Sequence, residues 1–276
     1  MPTSTPDLST RPIGVFDSGI GGLTVAHAVN KMLPHERLIY FGDTAHLPYG
    51  DKSTAAIQAY SIKICDLLLR QHCKVILIAC NSASAAAYEL VREYVGSKAR
   101  VLNVIDPIVE HIGQAYAERN VGLIGTKQTV NSNVYKKKID DLDAGVQLQS
   151  LATPLLVPMI EEGFFNNTIS DNIIRAYLNN PELSNIDALV LGCTHYPLIK
   201  EQIADIYQGK VQVLDASDVV AKHLKKYLED NHLAAKPTSL APVHHFYVSD
   251  FTRSFEESTR IFFGQEVHLE HYPLWE

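Results

Sequence analysis

The chain is 276 residues long, 46% apolar and 20% charged, the composition of a soluble globular protein that can bury a real core in one large domain or two ordinary ones. Its net charge of −7, from 24 Lys and Arg against 31 Asp and Glu, argues against a nucleic-acid surface, and no Lys/Arg stripe stands out. Four cysteines, Cys65, Cys73, Cys80 and Cys193, show neither a CxxC pair nor a scaffold spacing, so free thiols in a reducing cytoplasm are expected rather than disulfide staples.

The leader MPTSTPDLSTRP is polar and lacks the apolar stretch of a secretory signal. The longest apolar runs are strand-sized, well short of the roughly 18 residues a membrane span needs. A first strand at 13–16 enters Asp17-Ser18-Gly19-Ile20-Gly21-Gly22 before a helix at 23–32. That turn lacks the G-x-G-x-x-G spacing, and Asp17 would repel a pyrophosphate. It reads either as a turn presenting an acid and a hydroxyl to a small ligand or as a plain structural turn. Strand 38–41 leads into Asp43-Thr44-Ala45-His46-Leu47-Pro48-Tyr49-Gly50, a polar loop whose Pro and Gly can hold backbone N–H groups against a carboxylate.

After a helix at 54–70, strand 75–79 ends at Cys80, and Asn81, Ser82 and Ser84 open a helix at 84–94. Asn and Ser suit helix N-caps, the N–H groups there bind anions, and a thiol so placed is expected to have its pKa lowered. The alternative is an inert, buried Cys at a strand end. Strands 101–105 and 121–124 bracket a helix at 107–118, and Lys136-Lys137-Lys138 reads as a solvated helix face. Beyond strand 146–151, Glu161 and Glu162 follow Pro158 in what reads as a loop and could pair with His195.

Strand 188–191 ends in Gly192-Cys193-Thr194-His195-Tyr196-Pro197. Gly192 lets a ligand approach the backbone, Thr194 can cap the next helix, and Pro197 suits its first turn. His195 lies two residues past the thiol and can poise its protonation. Cys-x-His also suggests a zinc pair, but a tetrahedral site needs further ligands at suitable spacing, so no metal is expected. Strands 211–214 and 245–248 close the series. His111, His223, His244 and His245 have no ligand spacing and read as structural or exposed.

Strand-then-helix alternation throughout indicates an α/β fold of mostly parallel sheets flanked by helices. IGVFDSGIGGLTV near residue 13 resembles VGLIGTKQTVNS near residue 121. The offset between these units nearly equals the offset between the two thiols. Two similar halves, related by an approximate two-fold and each contributing one thiol, are therefore expected, with a small substrate held in the cleft between them. Facing thiols suit chemistry that removes a proton from one face of a carbon and adds one to the other.

The stretches FDSGIGG, FGDTAHLPYG, ACNSAS and LGCTHYPL occur in an order that resembles the glutamate racemases of the cofactor-independent aspartate/glutamate racemase superfamily, from about residue 13 to about 265. The resemblance implies two-base racemisation of glutamate at its α-carbon without a cofactor, supplying D-glutamate for bacterial peptidoglycan synthesis. It implies that Cys80 acts on D-glutamate and Cys193 on L-glutamate, with Asp17 and Asp43 near the first thiol and Glu161 and His195 assisting the second. Ser18, Pro48, Tyr49, Gly50, Asn81, Ser82, Thr126 and Thr194, with Asp17 and His195, match groups that grip the substrate. Ser82 departs from the Thr usual there, but keeps a hydroxyl. A first domain of 1–105 plus 216–276, a second of 106–215, a homodimer, and no nucleic-acid or membrane partner are implied too. Physically, the α-proton is so weakly acidic that a thiolate of pKa about 8.5 needs a dry, preorganised site. Racemisation of aspartate on the same fold, or a non-catalytic acidic-amino-acid binding protein, are the alternatives.

Overall fold

The computed structural model describes residues 7–276; the first six positions of the polar leader lie outside the described residues. Strands β1 (Ile13–Asp17), β2 (Leu38–Gly42), β3 (Val75–Ile78) and β4 (Arg100–Asn103) open a first sheet. A second sheet holds β5 (Asn120–Gly125), β6 (Gln147–Ala152), β7 (Ala188–Gly192) and β8 (Gln212–Leu214), after which β9 (His245–Val248) and β10 (Glu270–His271) return to the first. Every pairing is parallel. β1, β2, β3 and β7 are buried at all positions, as parallel strands covered on both faces must be, which is why they read as continuous apolar runs.

The covering helices are α1 (Leu23–Met32), α2 (Thr54–Arg70), α3 (Asn81–Val95), α4 (Ile105–Ala115), α5 (Lys127–Asn131), α6 (Val134–Asp140), α7 (Leu156–Glu161), α8 (Thr168–Leu178), α9 (Lys200–Tyr207), α10 (Ala216–Asp230) and α11 (Arg253–Phe263). The sheet orders are β10-β9-β2-β1-β3-β4 and β6-β5-β7-β8. The core order β2-β1-β3-β4 thus recurs as β6-β5-β7-β8. One apolar cluster runs from β1 and α1 through α4 and α10 to β5 and β7, and a second lies between the first sheet and α2 and α3. Each fully buried Ile, Leu or Phe in them contributes roughly 2 kcal/mol. At the base of β3, buried Lys74 pairs with Glu36 at 2.6 Å and donates to the carbonyls of Ser9 and Leu233.

Several local expectations need correction. The fourth strand stops at Asn103 rather than 105, because Asn103 Oδ1 accepts the Ile105 and Asp106 N–H groups at 2.8 and 2.9 Å and starts α4 there. α3 begins at Asn81, three residues early, with Cys80 itself as N-cap; its sulfur accepts the Ala83 N–H at 3.4 Å. Glu161 is the last residue of α7, not part of a loop. Thr194 makes no capping bond; His195 precedes the short 3-10 turn Tyr196–Ile199. Of the lysine triplet, Lys138 is not merely solvated but pairs with Asp106 of α4 at 2.8 Å.

Candidate active site

Because every strand is parallel, the carboxyl ends of β1, β2 and β3 and of β5, β6 and β7 carry the loops that meet between the sheets, where open α/β folds hold ligands. They enclose a cavity of about 750 Å³, open space at its mouth included. From the first half it is lined by Ser18, Pro48, Tyr49, Gly50, Cys80, Asn81 and Ser82, and from the second by Thr126, Glu161, Cys193, Thr194 and His195. Both thiols are free and buried, and they end the topologically equivalent strands β3 and β7.

Cys80 Sγ lies 3.7 Å from Ser18 Oγ. Burial, then the negative charge of Asp17, push its thiol up to about 12, against the smaller pull of the Ala83 N–H. The lowering expected from a helix start is therefore reversed: desolvation of a thiolate in this dry wall outweighs one N–H dipole. Asp17 is fully buried; its Oδ2 accepts the Gly19 N–H at 3.0 Å and its Oδ1 has no hydrogen-bond partner. Burial raises the Asp17 carboxyl, against an opposing pull from His195.

Cys193 has a different neighbour. His195 Nδ1 is 3.7 Å from its sulfur, and Nε2 is 2.9 Å from Glu161 Oε1. Burial disfavours the imidazolium, but the bonds to Cys193 and Glu161 overcome that and hold His195 at about 10. The ring is therefore a cation at neutral pH, with one N–H toward the thiol and the other on the carboxylate. Two equivalent thiols thus face surroundings of opposite sign.

The polar wall is braced across the cleft. Ser82 Oγ and Thr126 Oγ1 are 2.8 Å apart, so the serine hydroxyl reaches the second half. Tyr135, which carries no sequence signal, donates to Asn81 Oδ1 at 2.7 Å, leaving the amide NH2 for the cavity. Gly50 packs so closely that an added Cβ would lie 2.8 Å from Thr126 Cβ. Gly192 lines the cavity, but strand packing needs it as well: a Cβ there would lie 2.7 Å from Leu123 Cδ1.

Asp17 and Asp43 do not line the cavity. Asp17 is fully buried, within electrostatic reach of Cys80, and Asp43 lies behind Tyr49, accepting the phenol O–H at 2.6 Å. Lys127 and Asp51, paired at 3.2 Å, and Thr153 also line the cavity, and no motif in the sequence points to the first two. Thr153 was accessible from the internal repeat, since it follows β6 as Asp43 follows β2. Among the described residues no group of three or more His, Cys, Asp or Glu side chains is placed to hold a metal ion, and no helix is long and apolar enough to cross a membrane.

Repeated halves with matching thiols at one cleft suit an isomerase that takes a proton from one face of a carbon and returns one to the other. The family model described as Asp/Glu/Hydantoin racemase matches residues 21–224. The glutamate racemase of Syntrophus aciditrophicus (strain SB) is 39% identical over 267 residues, 97% of each chain. That of Streptococcus pneumoniae serotype 19F (strain G54) is 35% identical over 271 residues, covering 97% of this chain and 100% of the other. The crystal structure of the Francisella tularensis glutamate racemase in complex with D-glutamate matches with a TM-score of 0.90 and 40% identity, over 97% of this chain and 99% of that one. The chain belongs to the Asp/Glu/Hydantoin racemase family and is similar over nearly its whole length to glutamate racemases.

Proposed function

We propose that this racemase interconverts L- and D-glutamate by proton transfer between two cysteines, without a cofactor. The observation that carries the reading is the opposite electrostatic setting of the two thiols. Cys80, buried beside Asp17, keeps its proton, whereas Cys193 faces the imidazolium of His195. In the L-to-D direction the Cys193 thiolate removes the α-proton and leaves an electron pair on carbon. The Cys80 S–H then protonates the opposite face, ending as thiolate while Cys193 ends as thiol; the reverse direction exchanges the roles. His195 presents one ring N–H to the Cys193 sulfur, and Glu161 holds the imidazolium through the other.

The N–H groups opening α3, with Asn81, Ser82 and Thr126, meet carboxylate charge that grows as the carbanion forms. Ser18, Pro48, Tyr49, Gly50 and Thr194 complete the grip, and the halves 1–105 with 216–276 and 106–215 close over the substrate. Binding of D-glutamate by the Francisella tularensis relative supports glutamate as substrate here. Free thiol chemistry suits a reducing cytoplasm, and the product would supply peptidoglycan synthesis.

Circular dichroism with L-glutamate and L-aspartate, and deuterium uptake at the α-carbon in D2O, test the reading. Glutamate should turn over faster, and Cys80→Ala and Cys193→Ala should each lose racemisation by about a thousandfold, as loss of a positioned acid or base predicts. Faster aspartate turnover, absence of deuterium exchange, or racemisation surviving in both variants would overturn it.

A further inference from the structure

Behind the cavity wall at Tyr49, the buried carboxylate of Asp43 draws together three distant pieces of chain. Tyr49 O–H donates to Oδ2 at 2.6 Å, Ser249 Oγ–H to Oδ1 at 2.8 Å, and Trp275 Nε1–H to Oδ1 at 2.7 Å, while His46 Nδ1 lies 3.0 Å from Oδ2. Trp275, the penultimate residue and only tryptophan, stands edge-on to His46 and Tyr60, with ring centroids 4.5 and 5.4 Å away, and Lys63 Nζ lies 4.7 Å over its ring. His46 in turn stacks on Tyr60 at 4.0 Å. The C-terminal tail thus plugs the back of the 47–50 wall and supplies one of its polar pins.

We infer that Trp275 is a positioning residue for substrate binding: its indole N–H fixes Asp43, Asp43 fixes Tyr49, and Tyr49 with Gly50 forms the substrate-facing wall. The inference rests on the glutamate reading above. Its physical basis is that the donors on Oδ1 fix the orientation of the buried carboxylate; with the indole N–H removed the carboxylate can turn, and the Tyr49 hydroxyl bonded to Oδ2 turns with it. Trp275 touches no cavity surface, so its loss should weaken the grip on substrate and leave the proton-transferring groups in place.

Trp275→Phe keeps an aromatic plug and removes only the donor. In the full-length protein it should raise the glutamate KM, and the calorimetric Kd for D-glutamate, about tenfold, the size of one charge-assisted hydrogen bond, with kcat within about twofold. Ser249→Ala, removing a different donor from the same oxygen, should give the same pattern. Unchanged KM and Kd, or a loss of kcat and melting temperature with unchanged KM, would overturn the inference in favour of plain packing. A wild-type chain that binds D-glutamate but does not racemise it would instead sink the functional reading, and the calorimetric comparison would still decide the role of Trp275.

Discussion

Asp17 occupies the position that Gly125 holds in the second half, and this difference, with His195 beside Cys193, gives two equivalent thiols unequal surroundings. A fully buried carboxylate with an unpartnered oxygen is costly, and such costs concentrate where function requires them. Asp17→Asn keeps an oxygen for the Gly19 N–H and removes the charge. It should lower the pH midpoint for iodoacetamide alkylation of Cys80, read in a Cys193→Ser background, because Asp17 is the second-largest cause of the raised thiol. Stability at neutral pH should rise by about 1 kcal/mol in urea melts while turnover falls. An alkylation midpoint that stays put or moves upward would refute the coupling. The thiols, Asp17 and His195 could be read from the sequence because each adjoins a strand end. Asp43's withdrawal behind Tyr49, and Tyr135's hold on Asn81, could not, since their partners lie up to 232 residues away along the chain. Nor could a helix-start argument foresee that burial would drive Cys80 upward, because dryness is a property of the closed wall.

The turn before α1 shows how an element from one half sets the geometry of the other. An added Cβ on Gly21 would lie 2.4 Å from His195 Cε1, 2.5 Å from its Nδ1 and 2.7 Å from Thr194 Oγ1. Thr24 of α1 donates to the Thr194 carbonyl at 3.1 Å, so the helix start cannot simply withdraw. Gly21→Ala should therefore displace the imidazole from Cys193 and lower kcat by about a hundredfold, the cost of an ångström-scale misplacement of a catalytic group. Far-ultraviolet circular dichroism should be unchanged. Wild-type turnover in this variant would show that His195 has room to adjust. At this scale the alternating strands and helices were legible because β1, β2, β3 and β7 are buried on both faces. Boundaries were less so: β4 is ended by the Asn103 side chain and not by loss of apolar character. β10, only two residues long, exists through its pairing with β9 and has no pattern of its own.

Across the whole molecule the cleft is held by pins of unequal strength. Inside, Ser82 meets Thr126 and Tyr135 meets Asn81; at the mouth, exposed Lys127 meets Asp51 at 3.2 Å, a kind of pair worth about 0–1 kcal/mol. Such a mouth can open for substrate while the inner wall stays registered. The closed cleft also ties folding to proton binding. His195 is held at about 10 against an ordinary 6.5, so the folded chain binds that proton more tightly than the unfolded chain. The stabilisation is complete below pH 6.5 and is lost as pH rises to about 10. Cys80 and Cys73, each raised by burial from 9.0 to about 12, add a second decline at higher pH. Urea midpoints should therefore fall steadily above neutrality. His195→Gln removes the first titration, so its stability should be nearly flat between pH 6.5 and the onset of thiol ionisation, with wild type and variant converging toward pH 10. Wild-type and variant curves that run parallel across that window would mean that the imidazolium between Cys193 and Glu161 contributes nothing to the closed fold.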